Sequence, residues 1–283
     1  MNKFKEQIMQ AVFFLAAGIS ILSVFLICIF SFSAGFPAIF KIGITKFLFG
    51  MSWKPSNNIF GIFPMIIGSI YVTAGALLIG VPLGIMTAIY MTYFCPEKWY
   101  NLFKRVINLM AGIPSVVYGF FGLVVLVPFV REYVGGHGMG VLTAAVLLGI
   151  MILPTIVSVS ETSIRAVPNS YYEGGLALGA THERVVFFII LPAAKRGILA
   201  GIILGIGRAI GETMAVVMVA GNQAVMPKSL VSGVRTLTTN IVMEMGYSVD
   251  LHREALIGTA VVLFAFILII NMIFYMMYKK ETK

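Results

Sequence analysis

Six long runs of apolar residues, nearly free of charge, dominate this 283-residue sequence. A helix needs about 20 mostly apolar residues to cross the hydrocarbon core of a bilayer. Hydrophobic residues make up 59% of the chain and charged residues 11%, which excludes an ordinary soluble domain. The sequence therefore predicts an all-α membrane protein with six transmembrane helices. We expect them at residues 11–32, 63–93, 106–130, 139–160, 197–221 and 255–278.

Prolines and glycines predict where these helices bend and pack. The second run is long enough for a tilt or a break at Pro82, and Pro114 is expected to bend or break the third run near its start. Two small-residue motifs, Gly201-x-x-x-Gly205 and Gly207-x-x-x-Gly211, favour close approach of a neighbouring helix to the fifth run.

The basic residues predict an orientation. With both termini in the cytoplasm, twelve lysines and arginines fall on the cytoplasmic side and seven on the outside. This bias predicts a multi-pass protein of the cell membrane with its N and C termini inside. The first run follows Lys3 and Lys5 but exceeds the 7–15 apolar residues of a signal peptide, so we interpret it as an uncleaved span.

Several classes of site have no counterpart in the sequence. The longest connections, 33–62, 161–196 and 222–254, leave no room for a large soluble domain, and no nucleotide-binding P-loop, G-x-S-x-G, H-E-x-x-H or C-x-x-C motif occurs. Neither Cys28 nor Cys95 has a histidine nearby at the spacing that a metal site requires. We therefore expect no catalytic residues and no metal site. The net charge of +9 is attributed to membrane orientation rather than to nucleic acid binding.

The connection 161–196, called the coupling loop below, carries the most local signals. Ser170 and Glu173 have the spacing of a capping box at the start of a short helix. Gly179 is placed for a left-handed C-terminal cap, and Thr181 for the N-cap of a second helix whose apolar run stops at Pro192. Such a helix pair is suited to docking against another protein.

The same loop carries a resemblance. Glu173-Gly174-Gly175, Gly179 and Leu191-Pro192 resemble the EAA loop of type I ABC-importer permeases, with glycines where that family usually has alanines. The resemblance implies the MetI-like permease fold over residues 63–278, after an N-terminal section 1–62 and before a cytoplasmic tail 279–283. It also implies that these loop residues couple the chain to a separate ATPase. The segments 111–122, 205–215 and 235–246 are similar to phosphate-importer permeases in particular.

What this resemblance implies about partners is specific. The chain would form a heterodimer with a second permease, above an ATPase dimer that holds ATP and magnesium, and would receive phosphate from an extracytoplasmic binding protein. No cofactor would be bound by this chain itself. Two alternatives stay open, an ABC permease for molybdate, sulfate or another small solute, and an ion-driven secondary transporter.

Two ionisable residues fall inside the fifth run. Arg208 and Glu212 are four residues apart, which would place them on one helix face. Charges at that depth cost about 2.5–3.5 kcal/mol each and usually line a pathway or pair in the interior. One hypothesis is that Arg208 contacts phosphate while Glu212 holds Arg208 and accepts the proton of hydrogen phosphate. The alternative is a self-neutralising pair that only fixes the rotation of the helix.

Other polar residues are weaker candidates for the substrate path. Ser115, Thr213 and Arg235 complete that set. Thr236, Thr238, Thr239 and Asn240 are further candidate hydroxyl or amide donors, and the favoured alternative is that they are ordinary loop and cap residues.

Overall fold

The computed structural model describes residues 3–280, and most of them are helical. In chain order the α-helices are α1 (Lys3–Ile42), α2 (Ile44–Phe49), α3 (Phe63–Ile89), α4 (Glu97–Gly112), α5 (Ser115–Phe121), α6 (Val127–Tyr133), α7 (Val141–Arg165), α8 (Asn169–Ala177), α9 (His182–Val185), α10 (Leu191–Gly211), α11 (Met214–Val219), α12 (Leu237–Met245) and α13 (Asp250–Lys280). Two short strands, β1 (Trp53–Lys54) and β2 (Ile59–Phe60), form an antiparallel hairpin around the 3-10 turn Pro55–Asn57.

Six helical stretches within residues 3–280 are long and apolar enough to cross a membrane, which confirms the predicted number. They are Lys5–Ile42, Phe63–Phe94, Ser115–Tyr133, Val141–Arg165, His182–Gly211 and Asp250–Ile273. Of the predicted tail 279–283, Lys279 and Lys280 still belong to α13, and residues 281–283 lie outside the described residues. The orientation of the termini stays a prediction.

A break divides the predicted third span 106–130. Ile113 and Pro114 adopt extended backbone conformations, so α4 ends at Gly112 and the apolar helical stretch after the break runs from Ser115 to Tyr133. The residue before a proline is pushed out of the helical region by the proline ring, and this effect produces the break expected at Pro114. At Pro82, by contrast, α3 continues without a break.

The core of the bundle is formed by α3, α7 and α10. Gly75, Gly80 and Gly84 of α3 meet Ala145, Ile152 and Ile156 of α7 in the same sequence order, so these two helices run parallel. A Cβ atom at Gly80 would lie 2.7 Å from Ile152, so the approach requires glycine. Leu147, Leu148 and Met151 of α7 are almost fully buried in the same core.

The fifth span packs on α7 in the opposite direction. Gly201 of α10 faces Val159 and Gly205 faces Ile156, which confirms close packing at the first predicted motif. Gly207 and Gly211 have open space around them, so the second motif packs against no described residue.

Three π-helical turns occur in the described spans, one at the end of the second span and one inside each of the third and fifth, and each precedes a proline. They are Tyr90–Phe94, Gly122–Leu126 and Val186–Ile190, and they precede Pro96, Pro128 and Pro192. The Leu191 amide donates to the Val186 carbonyl, five residues back, as is typical of a π-turn. A proline ring clashes with the carbonyl four residues before it in a regular α-helix, and the widened turn relieves that clash at Pro128 and Pro192, where the helix continues. The apolar run therefore continues through Pro192 into α10, and the predicted stop there is wrong.

Candidate functional site

The coupling loop begins with α8. Its N-cap position is taken by Pro168, without any side-chain cap, so the capping box predicted at Ser170 is wrong. The Glu173 carboxylate instead accepts a hydrogen bond of 2.6 Å from the Asn169 side-chain amide. Pro168 has an extended backbone, with ψ of 137°, so the helix starts at Asn169 and Ser170 already lies inside the first turn. Glu173 is exposed at the surface of the loop.

The end of α8 follows the prediction. Gly179 has φ of +83°, and its amide donates to the Leu176 carbonyl, while the Ala180 amide donates to Gly175. These two bonds form a Schellman motif, which requires the left-handed conformation that glycine tolerates best. The predicted cap at Thr181 is also confirmed, because its hydroxyl accepts the Arg184 amide.

The two central glycines of the loop differ from each other. A Cβ atom at Gly175 would lie 2.8 Å from both Val185 and Ile189, so α8 packs tightly on the following helix only because this residue is glycine. Gly174 has open space around it. Glycine at 175 is therefore a packing requirement, whereas glycine at 174 leaves a smooth exposed surface.

An aromatic cluster attaches the loop to the end of the second span. The Tyr172 hydroxyl hydrogen-bonds Nδ1 of His182 at 2.7 Å, which joins α8 to α9. The ring of Phe94 lies 4.8 Å from His182, and Tyr93 lies 5.5 Å from Tyr172. This contact was not predicted, since Tyr93 and Phe94 are distant in sequence from the loop.

A buried carboxylate lies beside this cluster. Glu161, near the end of α7, accepts hydrogen bonds from the Tyr100 hydroxyl at 2.6 Å, from Arg165 at 3.1 Å and from Lys104. The hydrogen bond to Glu161 raises the pKa of Tyr100 above its usual range. The hydrogen bonds of Glu161 with Tyr100 and Lys104 hold α4 against α7 at the end of the bundle that carries the coupling loop.

Arg208 and Glu212 do not share a helix. α10 ends at Gly211, and Glu212 is extended, with ψ of 133°. The Glu212 carboxylate accepts the backbone amides of Thr213 and Ala215 at 3.1 and 3.2 Å, so it caps α11. Arg208 donates to the Thr155 hydroxyl of α7 at 3.1 Å. The expected pairing on one helix face is wrong because the carboxylate satisfies the amides of the next helix.

The level of Arg208 coincides with the break in the third span. The Tyr118 hydroxyl of α5 donates to the Met110 carbonyl of α4 across that break, and Tyr118 belongs to the same buried cluster as Ala209, the residue after Arg208. Ser115 follows Pro114 at the start of α5 and is half-buried. Thr213 donates its hydroxyl to the Gly211 carbonyl at the other break. Two interrupted helices therefore meet near one arginine.

Arg235 belongs to a separate network. It lies at the end of the bundle that carries the β1–β2 hairpin, opposite the coupling loop, and this end is called the hairpin end below. Arg235 donates to the Glu244 carboxylate at 2.6 Å, and Glu244 also accepts from Trp53 and from His252, each at 2.8 Å. Burial together with the Glu244 charge raises the pKa of the neighbouring Tyr247. These contacts within the chain favour a structural role for Arg235 over a role in the substrate path.

The threonines that follow Arg235 are cap residues, as expected. Thr236 is the N-cap of α12, and its hydroxyl and that of Thr239 complete a capping box. Thr238 donates to the Glu212 carbonyl at 3.0 Å and so ties α12 to the break after α10. Asn240 accepts from Arg235 at 3.1 Å.

Comparison with known proteins gives consistent matches. Residues 80–281 match the family model described as "Binding-protein-dependent transport system inner membrane component". The chain is 42% identical over 206 residues to the probable ABC transporter permease protein YqgH of Bacillus subtilis, which covers 72% of this chain and 67% of that protein. It is 34% identical over 274 residues to the phosphate transport system permease protein PstC of Mesorhizobium japonicum, covering 89% and 84% of the two chains. A probable PstC of Methanocaldococcus jannaschii is 31% identical over 96% of this chain and 91% of its own length.

Solved structures show the same fold at lower identity. An inward-facing form of the MetNI methionine ABC transporter superposes with a TM-score of 0.62 at 19% identity, over 82% of this chain and 100% of the other. A bacterial ABC transporter involved in the import of alginate gives a TM-score of 0.68 at 14% identity over the full length of both chains. The chain therefore has the MetI-like permease fold that was predicted.

Proposed function

This chain belongs to the family of binding-protein-dependent transport system inner membrane components, and from that premise we propose that it forms the pathway for inorganic phosphate in an ATP-driven importer. The observation that supports phosphate is the similarity to PstC proteins, 31–34% identical over most of the chain. The chain is a multi-pass membrane subunit of the ABC-importer type. Its cargo and partners are the proposal.

The proposed assembly contains four kinds of subunit. This PstC-like chain pairs with a PstA-like permease, a PstB-like ATPase dimer binds below, and a PstS-like binding protein delivers phosphate from outside. ATP and magnesium bind to the ATPase, and this chain carries no cofactor. The coupling loop then faces the cytoplasm, as do both termini.

Force enters through the coupling loop in this proposal. The exposed residues Glu173, Gly174 and Gly179 present the surface of α8 to the ATPase, while Gly175 and the Tyr172–His182 contact hold α8 on the bundle. The helix that begins at His182 continues to Gly211 through Leu191 and Pro192, so a displacement of the loop is carried along one helical stretch to the Arg208 level. Nucleotide-driven movement of the ATPase thereby switches the pathway between its two sides.

Arg208 is the proposed anion contact. Arg208 is half-buried, and within residues 3–280 its side chain donates to the Thr155 hydroxyl alone. A guanidinium offers several donors in one plane and matches two phosphate oxygens at once. Glu212 holds the break after α10, and its second carboxylate oxygen accepts the proton of hydrogen phosphate. Sulfate carries no such proton at neutral pH and is disfavoured. Ser115 and Thr213 lie at the two helix breaks. Ser115 donates its hydroxyl to the passing anion, and Thr213 does so when its hydroxyl turns away from the Gly211 carbonyl.

The test uses proteoliposomes that contain all four kinds of subunit, with uptake of radiolabelled phosphate as the readout. Arg208→Lys is expected to lower uptake by about ten- to hundredfold, since a hydrogen bond to a charged group contributes about 1.5–3 kcal/mol. Arg131→Lys is the matched control, because Arg131 is an exposed arginine that donates to the His137 carbonyl outside this level. Its uptake should equal that of the parent protein.

The same uptake assay distinguishes the proposal from each alternative. Normal uptake by Arg208→Lys would remove Arg208 from the pathway. Equal competition by sulfate or molybdate would indicate another cargo, and uptake without ATP or without the ATPase would indicate an ion-driven transporter.

A further inference from the structure

α4 carries a polar stripe that the proposed function does not use. Lys98, Asn101, Arg105, Asn108 and Gly112 are spaced alternately three and four residues apart, so they lie on one helix face. All five are exposed. This set is called the α4 stripe below.

The other faces of α4 are occupied differently. One face packs on the bundle, where Ile107 is buried and Lys104 reaches Glu161. Another face is apolar and open, with Trp99 exposed to 55% and Leu109 to 70%. The apolar face is suited to lipid, whereas the α4 stripe requires water or polar partners.

Contacts with α7 and α5 place much of α4 at membrane depth. Lys104 bonds Glu161, which lies one turn inside the fourth span. Gly112, eight residues further along α4, lies about 12 Å beyond it along the helix axis. The Met110 carbonyl accepts from Tyr118, which shares a buried cluster with Ala209, the residue after Arg208. The stripe therefore leads from the coupling-loop end of the bundle to the Arg208 level.

The charge of the stripe is positive. Lys98 and Arg105 are its ionisable members, and the one acidic residue within α4 is Glu97 in the first turn. The side chains of Arg105 and Asn108 make no hydrogen bond or ion pair to another residue in the part of the chain that the structure describes. Exposed polar groups at membrane depth line water-filled cavities or bind partners, because lipid cannot satisfy them.

We propose that the α4 stripe lines the water-filled part of the pathway between Arg208 and the coupling-loop end, where it attracts the phosphate anion. This inference rests on the proposed function for its cargo. Lys98 and Arg105 raise the local concentration of anions, and the side-chain amides of Asn101 and Asn108 replace part of the hydration shell. Gly112 leaves room for the anion next to the break at Pro114.

The first test measures water access on two neighbouring residues. Asn108→Cys and Leu109→Cys are made separately in a background where Cys28 and Cys95 are replaced by serine, and each assembled transporter is labelled in membrane vesicles with an anionic methanethiosulfonate. We expect Asn108→Cys to react at least about tenfold faster, because a thiol in apolar surroundings ionises poorly. Equal rates, or an unreactive Asn108→Cys covered by the second permease, would overturn the proposal.

The second test measures the local potential. The ratio of labelling rates with anionic and cationic methanethiosulfonates at Asn108→Cys should fall about tenfold when Arg105→Gln is added, since lining charges concentrate counter-ions by that order. Lys54→Gln, at the hairpin end, should leave the ratio unchanged. If Arg105→Gln leaves the ratio of labelling rates unchanged, the proposal is overturned. Labelling needs no transport, so a failure of phosphate uptake with the expected labelling pattern counts against the cargo and not against the stripe.

Discussion

Two buried glutamates, Glu161 and Glu244, lie at opposite ends of the bundle. They accept the same number of side-chain hydrogen bonds, but their cationic partners differ in exposure to water. The Glu161 side chain is 2% exposed and the Glu244 side chain 8%, and each accepts hydrogen bonds from three side chains. At Glu161 the cations are partly in water, with Lys104 exposed to 33% and Arg165 to 47%. At Glu244, Arg235 and His252 are each exposed to only 14%.

The backbone around the two carboxylates explains this difference. Glu161 joins α4 and α7, two helices that also pack through Ile107 and Ile164. Glu244, in α12, joins three segments that are separate in the sequence: the hairpin at Trp53, the loop at Arg235 and the first turn of α13. A buried charge is costly unless it is fully paired, so at the hairpin end one carboxylate determines how three connections are arranged.

The largest effect is expected from Glu244→Ala. It leaves Arg235 buried without its carboxylate and frees the Trp53 indole, so the free energy of unfolding should fall by about 3–5 kcal/mol. Thermal unfolding of the purified chain in detergent measures this. A loss below that of Glu161→Ala would contradict the contrast between the two ends.

Glu161→Ala should be milder. Lys104 and Arg165 turn to water when the carboxylate is removed, which limits the loss to about 1–3 kcal/mol. The same unfolding assay applies, with Glu173→Ala, an exposed residue of the coupling loop, as the matched control with little effect.

Tyr100→Phe sharpens the comparison at the Glu161 end. It removes one hydrogen bond but keeps the ring under Arg165, so the loss should be about 1 kcal/mol at neutral pH. The pKa of Tyr100 is raised in the folded state, so its contribution is full below the ordinary tyrosine pKa of about 10 and is lost as the pH rises through the raised value. Unfolding followed from pH 7 upward should therefore bring parent and variant together. A constant gap would contradict the assigned bond.

The smallest effect is expected from Lys41→Ala. Lys41 pairs with Glu254 at 2.9 Å at the hairpin end, but their side chains are exposed to 60% and 39%. Exposed ion pairs contribute about 0–1 kcal/mol. A loss comparable to that of Glu244→Ala would show that location at the hairpin end, rather than burial, sets the cost.

The sequence predicts what depends on local chemistry. The six spans follow from apolar length, and the caps at Gly179 and Thr181 follow from backbone preferences within a few residues. The contacts of Glu161 and Glu244 could not be predicted, because Lys104 and Trp53 are 57 and 191 residues away from them along the chain. No periodic pattern links residues so far apart.

The wrong predictions have local causes as well. The pairing of Arg208 with Glu212 assumed that the helix continues, but the Glu212 carboxylate competes for the free amides of the next helix. The capping box at Ser170 failed because Pro168 already sets the start of α8. In each case the spacing was correct for a helix, and a neighbouring group moved the helix boundary.

The π-turn at Val186–Ile190 changes how the fifth span presents its side chains. One additional residue in a turn rotates everything beyond it by about 100° relative to an uninterrupted α-helix. A helical wheel drawn from His182 to Gly211 therefore gives wrong side-chain directions for one side of the π-turn. Val185, before the turn, and Gly201, after it, cannot be placed on the same wheel. Deleting a single residue within 186–190 would turn α8 and α9 around the axis of α10 while shortening the helix by only about 1.5 Å.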